Sequence, residues 1–264
     1  MSKIRVMPLG SCRIYRPFLS RRSGVLYDNT FPEIEVVYPR CGFFHSPAEI
    51  LQTMQLMKFG FNTSARENVK YLFRKEPEHT TPSNVFYSDI IESFTFPVDF
   101  ESVDAVLIEI SSLDYFYYED GDLYFHWNPN FIKDVSYGEI YPDGFYENFT
   151  PSLNVQKRTL DCEELSEIFV RMCNLLGGKK LFVTTHINDE SVWKRKKLFE
   201  VCEEAVDACR SDITIINNSH VHSRHGYNIV NGNTDIHHLS PVGEIELGNL
   251  LQKNLIKRLG NNVV

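Results

Sequence analysis

Five short apolar runs alternating with amphipathic helical segments predict an α/β domain of three layers, α/β/α, built on a five-stranded parallel sheet. The runs fall at residues 4–9, 35–38, 105–110, 181–185 and 213–216. Their apolar character is continuous rather than alternating, which is what a strand covered on both faces requires. Strands separated by helices then connect through right-handed crossovers into an open sheet.

The helices between the runs carry start and stop signals. Ser46-Pro47-Ala48-Glu49 combines a capping box with proline at the first helical position. Ile50, Leu51, Met54 and Met57 follow at helical spacing. Asp161 and Glu164 open a second helix in the same way, and Gly177-Gly178 stops it before the run at 181–185. Residues 189–209 read as a third helix. Ser240-Pro241 starts a last one, with Ile245, Leu247, Leu250, Leu251, Leu255, Ile256 and Leu259 on its apolar face.

With 42% hydrophobic and 23% charged residues, the 264-residue chain has apolar material for one sizeable core. The reading is a single domain over 1–264, with insertions at about 62–104 and 113–154 that exceed ordinary connections. The second insertion is crowded with aromatics, among them Tyr115, Phe116, Tyr117, Tyr118, Tyr124, Phe125, Trp127, Tyr137, Tyr141, Phe145 and Tyr146. They form either a hydrophobic cluster of the insertion's own or a wall over a site, suited to stacking on sugar rings. A net charge of -8 argues against a nucleic-acid or anionic-membrane binder. No run is long enough to span a bilayer and no signal-peptide pattern is visible, so a cytoplasmic location is expected. The six cysteines lack CxxC spacing and read as thiols in a reducing compartment.

Two segments carry chemistry. Pro8-Leu9-Gly10-Ser11-Cys12-Arg13 places a tight glycine turn directly after the first strand. In a parallel sheet, ligands sit beyond the carboxyl ends of the strands, so this turn faces the expected crevice. A thiol there, at a helix N-terminus, has its pKa lowered and finds backbone donors for an oxyanion. The other segment is Asp235-Ile236-His237-His238-Leu239-Ser240-Pro241-Val242-Gly243, leading into the last helix. Asp235 and His238, three residues apart on a turn, can pair so that the carboxylate orients the imidazole.

The D-x-x-H-x-x-x-x-G spacing before a C-terminal amphipathic helix resembles the last sequence block of the SGNH (GDSL) hydrolases. The early Gly10-Ser11-Cys12 resembles that family's first block, G-D-S, in the register of the GSCFA-like and polysaccharide-biosynthesis offshoots. The resemblance implies a flavodoxin-like fold of the SGNH type and acyl transfer or acyl-ester hydrolysis on a carbohydrate or acylated small molecule. It implies Cys12 as nucleophile, with Ser11 as the fallback, His238 as base and Asp235 as its orienter. Gly10 shapes the turn, and Gly42 stands where the second block supplies an oxyanion donor. The third block's asparagine is absent; Glu109-Ile110-Ser111-Ser112 occupies its place, leaving Ser111 or Ser112 as substitutes. His45 and His186 are candidate cleft residues, each with a helix-capping alternative. Arg13, with Arg16, would meet the phosphates of acyl-CoA as candidate donor; no other cofactor is required. The histidines at 220, 222, 225, 237 and 238 raise zinc, but without an HExxH or a cysteine-pair framework no metal is expected. The other reading is a catalytically degenerate SGNH-like protein that binds a glycan or a partner.

Overall fold

The structure, a computed structural model, describes residues 3–22, 25–28, 32–39, 41, 44–73, 90, 93–96, 98–125, 128–129, 152–209 and 212–260; the side chains of Cys12, residues 19–28 and Lys70 lie outside that description. Five strands form the central sheet: β1 (Ile4–Leu9), β4 (Ile34–Val36), β5 (Ala105–Ile110), β9 (Lys180–Thr185) and β10 (Ile213–Ile216). All pair in parallel, in the order β10-β9-β5-β1-β4. The chain therefore starts in the middle, steps to one edge, then returns past β1 towards the other. Direction reverses between β1 and β5, and such a switch point opens a crevice beyond the strand ends.

The buried-run argument holds strand by strand. Every residue of β5 is buried, as is all of β1 except Arg5. One face of the sheet is covered by α2 (Pro47–Phe59), α5 (Cys162–Leu176) and α6 (Trp193–Ala208), through Leu51, Met54, Phe169, Met172 and Cys202 against Met7, Leu9, Val106 and Val183. The other is covered by α1 (Cys12–Tyr15), the 3-10 turn Arg16–Phe18, α7 (Ser219–His225) and α8 (Pro241–Leu259). There Ile14, Phe18, Val221, Leu247, Leu251 and Leu255 meet Val6, Ala105, Leu107 and Phe182.

The caps behave as their chemistry requires. Ser46 and Glu49 close a full capping box on α2, as Asp161 and Glu164 do on α5, and Gly177 ends α5 in the left-handed conformation. Ser240 Oγ accepts the Gly243 N–H and Pro241 opens α8. The helix expected from 189 begins instead at Trp193, because Asp189 spends its carboxylate on the Ser191 amide and hydroxyl and on the Tyr227 hydroxyl.

Three features depart from a plain strand-helix rhythm. A hairpin joins β2 (Leu19–Arg22) to β3 (Val25–Asp28). Within the expected insertions, α3 (Thr63–Glu67) and α4 (Val69–Leu72) are short, while β6 (Asp114–Tyr118), β7 (Leu123–Phe125) and β8 (Val155–Thr159) make an antiparallel sheet in the order β7-β6-β8. Tyr115, Leu123 and Phe125 of this sheet are buried in the core cluster of α2 and α5, so they extend the main core rather than forming one of their own. Trp127, Tyr137, Tyr141, Phe145 and Tyr146 lie outside the described residues. The third departure, β11 (Tyr227–Val230) against β12 (Asn233–Leu239), carries Asp235 and His238.

What holds the two ends of the chain together is the contact of α8 with the turn Arg16–Phe18. Gly248 lies so close to that turn that a Cβ on it would stand 2.4 Å from the Pro17 carbonyl oxygen, a backbone atom without freedom to move aside. Gly248→Ala is expected to push α8 off the turn and cost about 1–3 kcal/mol, the usual range for overpacking. A lowered urea midpoint with an unchanged slope checks it.

Candidate active site

Gly10 takes φ 158°, and a Cβ there would come 2.9 Å from both the Cβ and the carbonyl oxygen of Glu109 on the neighbouring strand. Only glycine lets the β1 turn close over β5 at this point. The turn then lays Ser11 on the Glu109 carboxylate. Both the Ser11 amide (2.9 Å) and its hydroxyl (2.5 Å) donate to Oε2. Oε1 accepts from Arg13 Nε at 3.3 Å, and the Arg13 amide donates back to Ser11 Oγ at 3.3 Å. Glu109 is a charge within an otherwise apolar buried strand, and the bonds to Ser11 and Arg13 are what make it tolerable there. Ser11, 1% exposed, is thereby committed to structure. Cys12 is the first residue of α1, directly beyond this clamp. That helix is a single turn, so it supplies little of the dipole a longer helix brings.

Across the crevice, β12 brings Asp235 and His238 together. In a regular strand, residues three apart point to opposite faces. Here the register jumps: Tyr227 pairs with Leu239 but Asn228 with Asp235, leaving three residues of β12 bulged out. The bulge turns His238 back so that its Nδ1 meets Asp235 Oδ2 at 2.6 Å, while Asp235 Oδ1 accepts the His237 amide at 3.0 Å. A regular turn was the sequence expectation; the bulged hairpin is the correction.

The hairpin is itself pinned. Arg195 Nη2 donates to the Ile236 carbonyl, inside the bulge, at 2.6 Å, and Nη1 to the Tyr227 hydroxyl at 2.5 Å. That hydroxyl donates to buried Asp189. From the opposite side, Arg16 pairs with Glu244 of α8 at 3.3 Å. These contacts were not legible in advance, since Asp189, Arg195 and Tyr227 carry no local motif.

Electrostatics tie the two halves into one site. Burial and the positive charges of Arg16 and Arg13 hold the His238 pKa below its ordinary 6.5, and the Asp235 carboxylate, which pulls upward, does not restore it. The imidazole is therefore neutral near pH 7, as a base must be. Burial pushes Asp235 up, but the bonds from His238 and the His237 amide outweigh it and leave the carboxylate below its usual range.

The remaining sequence candidates divide. The Ser111 and Ser112 amides both donate to the His45 carbonyl, at 3.0 and 2.9 Å, so neither N–H serves an oxyanion. The Ser112 hydroxyl belongs to the turn into β6, where it accepts the Asp114 amide at 2.9 Å. Ser112 thus takes part in the turn into β6. The Ser111 hydroxyl is buried with no hydrogen-bond partner among the described residues. His45 donates its amide to Glu49 as part of the cap of α2. His186 is buried beyond the end of β9, near Arg13, Arg195, His237 and His238. Gly42 lies outside the described residues, as does the Cys12 side chain. The histidines at 220, 222 and 225 stand on α7, and His222 faces Asp189 and Tyr227. Among the described residues no group of three His, Cys, Asp or Glu side chains is placed to hold a metal ion.

Residues 4–127 match the family profile described as the TviD N-terminal domain. The match covers less than half of the chain. It includes Gly10, Ser11, Cys12, Arg13, Glu109 and Ser111 and ends well before the hairpin with Asp235 and His238. No curated protein matches the chain. No helix among the described residues is long and apolar enough to cross a membrane.

Two outcomes are expected. Since Asp235 raises and Arg16 lowers the His238 pKa, Asp235→Asn should shift it further down and Arg16→Gln up, read by NMR titration of the histidine ring. His238 and the more deeply buried His186 both titrate below their unfolded value, His186 chiefly through burial and then the charges of Arg13, Arg195, His237 and His238. As pH falls through about 6.5, the unfolded chain takes up protons that the folded one refuses, so stability is lost by up to about 1.4 kcal/mol per pH unit for each group. Denaturant midpoints at pH 7.5, 6 and 5 should fall in that order, and the fall should be shallower in His186→Leu.

Proposed function

We propose that the chain is an acyltransferase of SGNH type that moves an acyl group from a thioester donor to a hydroxyl of a carbohydrate. The observation that carries this reading is the Asp235–His238 pair, oriented on a bulge, with its imidazole neutral and under the influence of Arg13, the residue after Cys12. The TviD match supports the substrate class, since that family is associated with acetylation of a polysaccharide. Engagement of the Ser11 hydroxyl by Glu109 favours Cys12 over Ser11 as nucleophile.

In the first half-reaction the Cys12 thiol gives its proton to His238, and the thiolate attacks the acyl carbonyl carbon. A carbon–sulfur bond to Cys12 forms, the bond to the donor thiol breaks, and the leaving thiolate takes the proton from His238. In the second, His238 removes a proton from the acceptor hydroxyl, whose oxygen attacks the acyl-Cys12 carbonyl. The ester forms and Cys12 leaves as the thiolate, reprotonated by His238. Asp235 orients the ring and stabilises its charged form in both halves. With water as acceptor the same steps make an esterase. Acyl-CoA is the donor this reading favours, its phosphates meeting Arg13 and Arg16.

A second reading, a glycan-binding protein without turnover, is favoured by one observation: the Ser111 and Ser112 amides, where the third block's asparagine is absent, are spent on the His45 carbonyl. The two are separated by incubating the protein with acetyl-CoA and locating the acyl adduct by peptide mass spectrometry. Acyl transfer requires an adduct on Cys12 and free CoA thiol. His238→Ala should then slow thiol release by about 100-fold or more, the scale of a positioned general base. No adduct and no thiol release, with glycan binding intact in Cys12→Ala, would sink the acyltransferase and leave the binder.

A further inference from the structure

One buried side chain near the site has no structural task. His186 is 8% exposed, and neither Nδ1 nor Nε2 has a hydrogen-bond partner among the described residues. Its place follows from the register. Ile110 pairs with Thr185 and the His186 amide donates to the Ile110 carbonyl at 2.8 Å, so Ser111 and His186 come next, side by side past the ends of β5 and β9. Residues paired in a parallel sheet share a face, and alternation puts these two on the face of Glu109 and Thr184. That is the face covered by α1 and α8, where the Asp235–His238 hairpin sits. The Ser111 hydroxyl is likewise buried and unpartnered. The His186 ring stands nearly parallel to that of His237, with centroids 6.4 Å apart and planes within 10°.

Leaving such groups unmet is costly, and native proteins rarely do so without a ligand or water to meet them. We propose that His186 and Ser111 form an uncharged subsite that receives a hydroxyl of the carbohydrate acceptor, beside His238. The choice of ligand follows from the inventory of donors and acceptors. A neutral imidazole carries one N–H donor and one bare nitrogen acceptor, and a serine hydroxyl both donates and accepts. A carboxylate only accepts and an ammonium only donates, so either leaves part of the pair unmet. An alcohol, which donates and accepts, matches both. Burial together with the charges around His186 keeps the ring neutral, which preserves the acceptor.

This inference rests on the carbohydrate reading above but not on turnover. The test uses the full chain with ring-labelled histidine, titrated with the uncharged methyl glycosides of glucose, galactose and mannose and followed by NMR at the ring nitrogens of His186. The expected result is a saturable shift at His186 for at least one glycoside. His186→Leu should weaken that binding by about tenfold or more, as when a hydrogen-bonding site loses its partner, while His186→Gln, which keeps a donor and an acceptor, stays within about threefold. The thermal midpoint of His186→Leu should not fall, because an apolar side chain removes two unmet polar atoms; a lower midpoint with full binding would mark His186 as a structural residue and overturn the proposal. Ring nitrogens unmoved by all three glycosides, or equal affinity in His186→Leu, would overturn it too. Acyl-adduct formation with acetyl-CoA, measured alongside on the unaltered chain, reads turnover separately, so that failure of acyl transfer and failure of this subsite give different results.

Discussion

The approach of α8 to the turn after β1 is the constraint on which the site depends. A glycine at 248 allows a helix from the end of the described chain to rest on the Pro17 carbonyl, and Leu247, Leu251 and Leu255 then complete the apolar layer begun by Ile14 and Phe18. Everything chemical follows from that contact. The hairpin immediately before α8 is carried to the switch point between β1 and β5, and its bulge delivers His238 to the side of the sheet where Arg13 and Arg16 stand. Hydrophobic burial sets the position to within a few ångströms; directed hydrogen bonds from Arg195 and Asp235 set the orientation.

Two carboxylates share the site and do opposite work. Glu109, beneath the first turn, takes the Ser11 amide and hydroxyl and the Arg13 guanidinium, and so turns a polar loop into a rigid floor. Asp235, on the bulge, holds the ring of His238, whose pKa lies below its ordinary value. The two sites of charge are separate: the Ser11 hydroxyl is engaged by Glu109 at the first turn, and the Asp–His pair is built on the bulge.

Much of the architecture was readable because it rests on short-range rules. All five buried runs became strands, and the capping boxes at Ser46 and Asp161 and the Ser240-Pro241 start stand where their chemistry placed them. The pairing of Asp235 with His238 was readable from spacing, although the geometry that achieves it was not, since a bulge depends on the partner strand. Long-range contacts left no trace in the sequence. Nothing about Ser112 announces that its hydroxyl belongs to the Asp114 turn, and nothing about Arg195 announces that it holds the Ile236 carbonyl 41 positions away. Gly42 and the Cys12 side chain lie outside the described residues.

The Arg16–Glu244 pair joins positions 228 apart, nearly the whole span of the chain. During synthesis the ribosome therefore releases the turn after β1 long before the helix that rests on it. Until α8 emerges, the apolar layer of β1, β5 and β9 on that side is covered only in part, by Ile14, Phe18 and Val221. The order of translation thus leaves the cover of that sheet face incomplete until α8 has been made.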